Sequence, residues 1–319
     1  MAGKTQLWRL GEVFRKMPRI LFYHGVINEP FKNLRVQANQ MPFDNFRQQM
    51  MFLKKHFQFI SVDEFFLRFT AGDKFTGKEI VLTFDDGYKN NLYVAAPLLY
   101  ELKIPFTIFI STGAVDNESF VPTYFVRSAV FSPIVHDLDI PSIGKRFVFN
   151  SDNRLRTEKE LIHCIKTSGE PVVRAIINDI ENHIGQKVRY EINRLYQSER
   201  ILSWEEVKTL YNLGVVIGSH CVSHCILHKN QSPEIVKSQI EDSKNSIISH
   251  IGECKYFAFP NGDISSVCDY SLSCARNVYD MGFAANGKQV GTEDRIEYIS
   301  RIGVAPTLDL LKVQLSLLS

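Results

Sequence analysis

The sequence predicts an α/β protein, a closed (β/α) barrel of about seven parallel strands with a helical insertion. Three observations support this prediction. Apolar segments alternate with amphipathic helical segments, polar residues directly follow several apolar segments, and about ninety residues between Ser111 and Ser203 interrupt the alternation. Because the carboxyl ends of barrel strands meet at one face, we expect the polar residues to gather there.

The composition fits a globular protein and excludes several classes of function. The chain has 319 residues, of which 45% are hydrophobic and 23% are charged, so it can bury a barrel-sized core. A net charge of +2, without a basic stripe, disfavours nucleic-acid binding. Six cysteines without a CxxC pair predict reduced thiols rather than a disulfide framework.

Residues 1–18 are predicted to form an N-terminal extension outside the barrel. It has no apolar signal region, and no later apolar run is long enough to span a bilayer, so we expect a cytoplasmic protein. The extension has one amphipathic face that either docks on the core, which we favour, or associates peripherally with a membrane. That face comprises Trp8, Leu10, Val13 and Phe14.

The first half of the barrel is predicted from three apolar strands and the helices between them. The first strand, Arg19–His24, ends in a histidine, and Ser61 with Glu64 predicts a capping box that opens a helix to about Phe69. The other predicted elements are a helix over Phe43–His56, strands over Phe57–Ile60 and Phe106–Ser111, and a helix over Leu92–Lys103.

The strand Glu79–Phe84 ends in two adjacent carboxylates, Asp85 and Asp86, followed by Gly87. Neighbouring carboxylates repel, so two of them at the end of a buried strand destabilise the fold unless a cation or a proton compensates them. A metal site is one explanation. The alternative is a simple turn, because Asp and Gly both favour turns.

The second half continues the alternation. Ser203 with Glu206 predicts a second capping box, and Ser232-Pro233 predicts the start of a long helix. The predicted helices are Trp204–Leu213, Pro233–His250, Ser266–Met281 and one from about Thr307; the predicted strands are Val215–Ser219, Lys255–Phe259, Phe283–Ala285 and Ile296–Val304.

Residues 113–202 break this rhythm, and we interpret them as a helical insertion between barrel segments 19–112 and 203–319. Two stretches, Thr157–Lys166 and Pro171–Ile184, have helical spacing. The insertion would act as a lid or a specificity element, or it would have a structural or oligomerising role.

His220 and His224 follow a predicted strand and lie four residues apart. On a helical turn this spacing places both imidazoles on one face, where they can reach one ion such as Zn²⁺. The alternative is two unconnected histidines, which the Asp85-Asp86 pair makes less favoured. His228 continues the spacing, but its polar surroundings predict a solvated residue. Cys221 and Cys225 are predicted to be packing residues.

Together, Thr83–Gly87 and Ser219-His220 with His224 resemble the polysaccharide deacetylase family, also called the NodB homology or carbohydrate esterase 4 group. The flanking segments Trp204–Val207 and Ser232–Glu234 fit the same pattern. Tyr23-His24 on the first strand is similar to the branch that deacetylates poly-N-acetylglucosamine.

The resemblance implies a distorted (β/α) barrel of the NodB type that removes N-acetyl or N-formyl groups from amino sugars with a divalent metal, foremost Zn²⁺. It implies Asp86, His220 and His224 as metal ligands and Asp85 as the general base. The implied partner is an N-acylated amino sugar or oligosaccharide, and because no export signal is evident we favour a glycan precursor.

The sequence departs from the family at two motifs. Phe257–Gly262 stands where the family has Arg-Pro-Pro-Tyr, so we expect Pro260 and the backbone N–H of Asn261 to face the oxyanion, with Tyr88 also near the substrate. Arg301 is our candidate to replace the missing arginine and hold Asp85; the alternative is a surface ion pair.

No histidine follows His250, although the family uses a C-terminal histidine as general acid. In the branch that Tyr23-His24 resembles, the first strand supplies this histidine, which makes His24 the candidate for that role. A closed barrel places its first and last strands side by side, so the geometry allows the exchange; a structural histidine is the alternative. Two other functions remain open: hydrolysis of a non-sugar amide or imide, and a non-catalytic glycan-binding barrel.

Overall fold

The fold is built on a curled sheet of parallel strands. This computed structural model describes residues 16–31, 33–117, 119–150 and 152–317. The strands are β1 (Arg19–Tyr23), β2 (Gly25–Ile27), β3 (Gln40–Pro42), β4 (Gln58–Phe59), β5 (Glu79–Phe84), β6 (Thr107–Ile110), β7 (Asp137–Ile140), β8 (Lys145–Val148), β9 (Val216–Ser219), β10 (Tyr256–Ala258), β11 (Met281–Phe283) and β12 (Ile302–Gly303).

The helices cover the sheet and form most of the segment between β6 and β9. They are α1 (Leu34–Gln37), α2 (Phe43–His56), α3 (Val62–Ala71), α4 (Ala96–Glu101), α5 (Thr112–Asp116), α6 (Pro122–Phe131), α7 (Arg154–Thr167), α8 (Glu170–Leu195), α9 (Trp204–Asn212), α10 (Pro233–Ile251), α11 (Asp269–Val278) and α12 (Leu308–Leu317).

Seven strands pair in the order β11-β10-β9-β6-β5-β1-β12, all in parallel, and β4 also pairs with β5. The chain before β12 reaches the opposite edge, because Ile299 forms a parallel bridge with Phe283 while Ile302 pairs with Leu21 on β1. This arrangement confirms the predicted distorted barrel. It also brings the last segment of the barrel beside the first.

Side-chain caps begin the helices where the sequence predicts them. Ser203 and Glu206 form a reciprocal capping box at α9, in which the Ser203 N–H donates to the Glu206 carboxylate at 2.7 Å. The Ser232 hydroxyl accepts the Ile235 N–H at the start of α10. Since these bonds satisfy backbone groups that have no partner within the helix, they fix the start of each helix.

Several predicted boundaries differ from the structure. The predicted helix Leu92–Lys103 begins with a π-helical turn, Asn91–Ala95, just before Pro97. Proline has no N–H for the regular helical bond, and the Ala96 N–H instead bonds to the carbonyl five residues back. The predicted helix to Met281 ends at Val278, and Met281 begins β11. Of the predicted strand Ile296–Val304, only β12 pairs as a strand.

Residues 113–202 contain α6, α7, α8 and the antiparallel hairpin β7–β8. Both predicted helical stretches are helical, and the second continues past a break at Gly185, where φ is 69° and ψ is 173°. The fully buried Glu158 of α7 pairs with Arg127 on α6, within this segment, and with Arg35 on α1, outside it. Glu158 therefore links α7 both to α6 and to the rest of the fold.

One apolar cluster extends from the barrel strands into this segment and includes Ile108, Ile217, Leu161 and Ile180. Within the described ranges, no helix is both long and apolar enough to cross a lipid bilayer. The predicted amphipathic face of Trp8, Leu10, Val13 and Phe14 lies outside the described residues.

We predict that Ser203→Ala lowers the free energy of unfolding by about 1 kcal/mol, because it removes the N-cap oxygen of α9. Urea denaturation of the purified protein measures this change. Ser249→Ala is the matched control, since Ser249 is exposed within α10 and alanine is the better helix former. Equal effects of the two substitutions would contradict the assigned cap.

Candidate active site

The end of β5 places two carboxylates at the floor of the site. The Asp85 N–H donates to the Tyr23 carbonyl at 2.9 Å, which continues the pairing of β5 with β1. Asp86 and Gly87 then take positive φ values of 73° and 81°. A Cβ on Gly87 would lie 2.7 Å from Ile110, so this turn requires glycine for both its conformation and its space.

The histidine loop, residues 220–231, follows β9. The His220 N–H donates to the Ile110 carbonyl at 2.8 Å, and the chain then leaves the sheet without forming a helix. The prediction that both histidines lie on a helical turn is therefore wrong. Positive φ values at Cys221 (65°) and His224 (54°) turn the two imidazoles toward each other instead. The Gln239 side chain holds the loop by accepting the Ser223 N–H.

Asp86, His220 and His224 converge on one point. Asp86 Oδ1 lies 3.2 Å from His224 Nε2 and 3.5 Å from His220 Nε2, and the three ligand atoms lie within 4.8 Å of one another. The buried Asp86 Oδ1 accepts no hydrogen bond of good geometry. One carboxylate and two imidazoles whose ligand atoms lie this close together fit a divalent cation.

The protonation states of this cluster suit a cation. Burial lowers the pKa of His220 to about 4, so its imidazole is neutral at neutral pH, as a ligand requires. His220 Nδ1 lies 2.7 Å from the Ala258 carbonyl and donates to it in this neutral form, which directs Nε2 at Asp86. Burial alone would raise the pKa of Asp86, but the neighbouring imidazoles, His224 foremost, outweigh burial and lower the pKa.

Asp85 forms a buried ion pair with Arg301. Two guanidinium nitrogens each donate to a different carboxylate oxygen at 2.8 Å, and Arg301 also donates to the Ala284 carbonyl at 2.7 Å. Arg301 is 0% exposed. Burial alone would raise the pKa of Asp85, but the positive charge of Arg301 outweighs burial and lowers it. Asp85 is therefore an ionised carboxylate held in one orientation.

These groups form the floor of a cavity of about 240 Å³. His24 and Asn261 lie on its wall, as the sequence predicts. The cavity is lined by Phe22, His24, Asn39, Asp85, Asp86, Thr123, Arg127, Lys166, His220, His224, Ile226, Asn261 and Ala285. It opens at the carboxyl ends of the parallel strands.

Two predicted substrate residues do not reach this wall. Tyr88 is 1% exposed and packs edge-to-face on Tyr124, and burial together with the charge of Asp86 raises its pKa. It lies beneath the floor as a neutral side chain. Pro260 is buried beside Asn261, outside the cavity lining. Neither side chain therefore lines the cavity.

The sequence also predicts the environments of three other residues of the histidine loop, namely His228, Cys221 and Cys225. His228, predicted to be solvated, is buried, and its Nδ1 accepts the Asn230 N–H. The packing prediction for Cys221 and Cys225 agrees with their burial, which raises the pKa of the Cys225 thiol to about 12. A protonated thiol is a poor metal ligand, so the cluster remains one of oxygen and nitrogen.

Three residues of segment 113–202 that no sequence motif predicts also line the cavity. Thr123 and Arg127 lie on α6, and Lys166 lies near the end of α7. Lys166 Nζ donates to the Asn261 side-chain oxygen at 2.7 Å and so connects this segment to the barrel. No local motif marks these positions, because each is one polar residue on an amphipathic helix.

Comparisons with known proteins agree with this geometry. The family model for polysaccharide deacetylase matches residues 72–275. The fold is similar to the Streptococcus pyogenes deacetylase PplD in complex with acetate, with a TM-score of 0.61 and 18% identity over 93% of this chain and 97% of that one.

Two further solved structures share the fold. IcaB from Ammonifex degensii has a TM-score of 0.58 and 16% identity over 94% of this chain and 96% of that one. The BpsB deacetylase domain from Bordetella bronchiseptica has a TM-score of 0.53 and 15% identity over 91% and 96%. No curated protein matches this chain significantly.

We predict that Arg301→Met destabilises the metal-free protein by about 3–5 kcal/mol, because it leaves Asp85 buried without its partner. Urea denaturation measures the loss, and the double variant Arg301→Met with Asp85→Asn should recover part of it. Arg146→Met is the control: its pair with Asp137 is exposed, so we expect a change of about 0–1 kcal/mol.

The loss of unfolding free energy caused by Arg301→Met should depend on pH. The lowered pKa of Asp85 means that the pair stabilises the fold above the unfolded-state pKa, about 3.9, and that this contribution is lost as pH falls through the folded-state pKa. The difference in unfolding free energy between wild type and Arg301→Met should therefore shrink as the pH falls from about 5 to about 2. A difference that stays constant over this range would contradict a charge-based role.

Proposed function

Because this chain belongs to the polysaccharide deacetylase family, we propose that it is a metal-dependent hydrolase that removes an N-acetyl or N-formyl group from an amino sugar of a glycan or glycan precursor. The family match covers more than half of the 319 residues and includes both Asp85-Asp86 and the histidine loop. The observation that carries the proposal is the convergence of Asp86, His220 and His224 beside the ionised Asp85.

The three converging residues would hold a divalent cation, and Zn²⁺ fits two imidazoles and one carboxylate best. When bound, such an ion polarises the amide carbonyl and lowers the pKa of a coordinated water. The neutral His220, fixed by the Ala258 carbonyl, supports this assignment because its free nitrogen already points at the centre.

Asp85 would accept the proton of the attacking water. Its carboxylate lines the cavity but is not part of the three-residue cluster, so it is available to act as a base. Arg301 holds both carboxylate oxygens and fixes their direction. This position lets Arg301 take the orienting role of the arginine that the family motif has and segment Phe257–Gly262 lacks.

His24 would donate a proton to the leaving amine. Its ring lines the cavity with Asp85 and Asp86 and packs edge-to-face on Phe22 at 5.7 Å. Among the described residues, no side-chain hydrogen bond engages the His24 imidazole, so both ring nitrogens are free for substrate. Its place at the end of β1 puts it next to the segment that carries Arg301.

Asn261 would stabilise the oxyanion through its backbone N–H. This residue has a φ of 61° and a side chain fixed by Asp263 and Lys166. Within the described part of the chain its N–H donates no hydrogen bond, so the group is available to a developing negative charge. Lys166 and Arg127 would donate hydrogen bonds to sugar hydroxyls, because both line the cavity. This position supports a role of segment 113–202 in substrate specificity.

We predict that Asp86→Ala abolishes stoichiometric metal binding, whereas Asp85→Asn retains the metal and lowers kcat by about 10²–10⁴-fold. Elemental analysis and release of acetate or formate from N-acylated amino sugars and sugar nucleotides measure the two effects. Equal metal loss in both variants would contradict this division of roles. Stoichiometric metal without acyl release from any substrate would favour a glycan-binding barrel.

We predict that His24→Ala retains the metal and lowers kcat by about 10²-fold or more on sugar amides, because the amine then leaves without a proton donor. The defect should be smaller on an N-acetylated nitroaniline, whose leaving group needs less protonation. His163→Ala, an exposed histidine on α7, is the control. An equal loss on both substrates would assign His24 a structural role.

A further inference from the structure

A second, larger cavity borders the reaction cavity. Its volume is about 440 Å³, compared with about 240 Å³ for the reaction cavity. The two share Thr123, His224 and Ile226 as lining residues. One of the three predicted metal ligands therefore forms part of the boundary between them.

Aliphatic side chains from three parts of the chain line the larger cavity. On α8, Val173 and Ile177 face it, while Ile176 and Ile180 are fully buried in the core. This spacing gives α8 two apolar faces. The other apolar lining residues are Ala114, Phe120, Val121, Pro122, Ile165, Val222, Cys225 and Ile226.

Several polar side chains of the cavity wall are already engaged within the wall. The Asn117 amide donates to the Gly113 carbonyl at 2.7 Å. Gln231 donates to the Ile226 carbonyl at 2.9 Å and accepts the Glu170 N–H at 2.9 Å. Gln239 accepts the N–H groups of the histidine loop. A sugar in this cavity would have to displace these hydrogen bonds or use the remaining polar lining, which includes Thr123, Arg174 and Asn178, whereas an alkyl group needs no partner.

The larger cavity meets the site at His224 and not at His24, the proposed proton donor to the amine. Neither His24 nor Asp85 lines it, although both line the reaction cavity. With the amide nitrogen directed at His24, the acyl carbon on the other side of the planar amide points away from that histidine. The shared boundary at His224 and Ile226 would then connect the carbonyl to the larger cavity.

We infer that the larger cavity binds the alkyl chain of an N-acyl group longer than acetyl, so that the protein removes medium-chain N-acyl groups as well as N-acetyl groups from amino sugars. This inference rests on the proposed function. In the reaction, water adds to the amide carbon, the C–N bond breaks, and the products are a free amino sugar and a medium-chain carboxylate. Val173 and Ile177 would determine the accepted chain length.

Binding of the product carboxylates tests the cavity independently of turnover. We expect the metal-loaded protein to bind hexanoate at least tenfold more tightly than acetate by calorimetry, since each buried methylene contributes about 0.8 kcal/mol, or about fourfold. Val173→Phe, which fills the cavity, should abolish this preference. Val172→Phe is the matched control, because Val172 is the neighbouring residue on α8, is 40% exposed and does not line the cavity.

Turnover of N-acetyl-, N-butanoyl- and N-hexanoyl-glucosamine oligomers, followed as free amine, gives the second readout. We expect Val173→Phe to lower the hexanoyl-to-acetyl ratio of kcat/KM at least tenfold and Val173→Ala to raise it. Folding of each variant is checked by its melting temperature.

Equal binding of acetate and hexanoate by wild type would overturn the inference, whichever substrates are hydrolysed. So would a loss of chito-oligomer binding in Val173→Phe without a change in chain-length preference, which would assign the cavity to the glycan. Hexanoate binding that depends on Val173, without hydrolysis of any amide, would support the cavity and count against the proposed function alone.

Discussion

The site depends on one constraint: the negative charges of two adjacent buried carboxylates must be compensated. Asp85 and Asp86 follow one apolar strand, and neither is more than 3% exposed. Arg301 neutralises the first through two hydrogen bonds, while the imidazoles of the histidine loop face the second. Each carboxylate thus has a different partner, and the proposed assignment of Asp85 as base and Asp86 as cation ligand rests on this difference.

This separation requires three distant segments to meet. Arg301 reaches Asp85 because the chain before β12 bridges β11 and then pairs with β1. His220 reaches Asp86 because its backbone extends the pairing of β9 with β6. The curled sheet therefore does more than bury apolar surface: it brings the charges of β5 together with their partners.

Backbone strain is concentrated at the same place. Among the described residues, six other than glycine have positive φ, and four of them belong to the site or its loop: Asp86, Cys221, His224 and Asn261. Such conformations cost about 1–3 kcal/mol each and persist only where surrounding contacts enforce them. Gln239 on α10 and Lys166 on α7 supply such contacts, so the helices around the barrel hold the site in shape.

The sequence by itself determined the elements and the reactive residues. The alternation of apolar and amphipathic segments predicted the parallel strands, and Ser203 and Ser232 marked helix starts. The same local pattern placed Asp85, Asp86, His220 and His224 after strand ends. These features are predictable because hydrophobic pattern and capping act over a few residues. Only the tertiary structure decided how these residues meet. The histidine loop is not helical, Tyr88 lies beneath the floor, and Arg127 and Lys166 join the wall from a helical segment without a motif. These outcomes depend on long-range pairing and packing, which a local pattern does not encode.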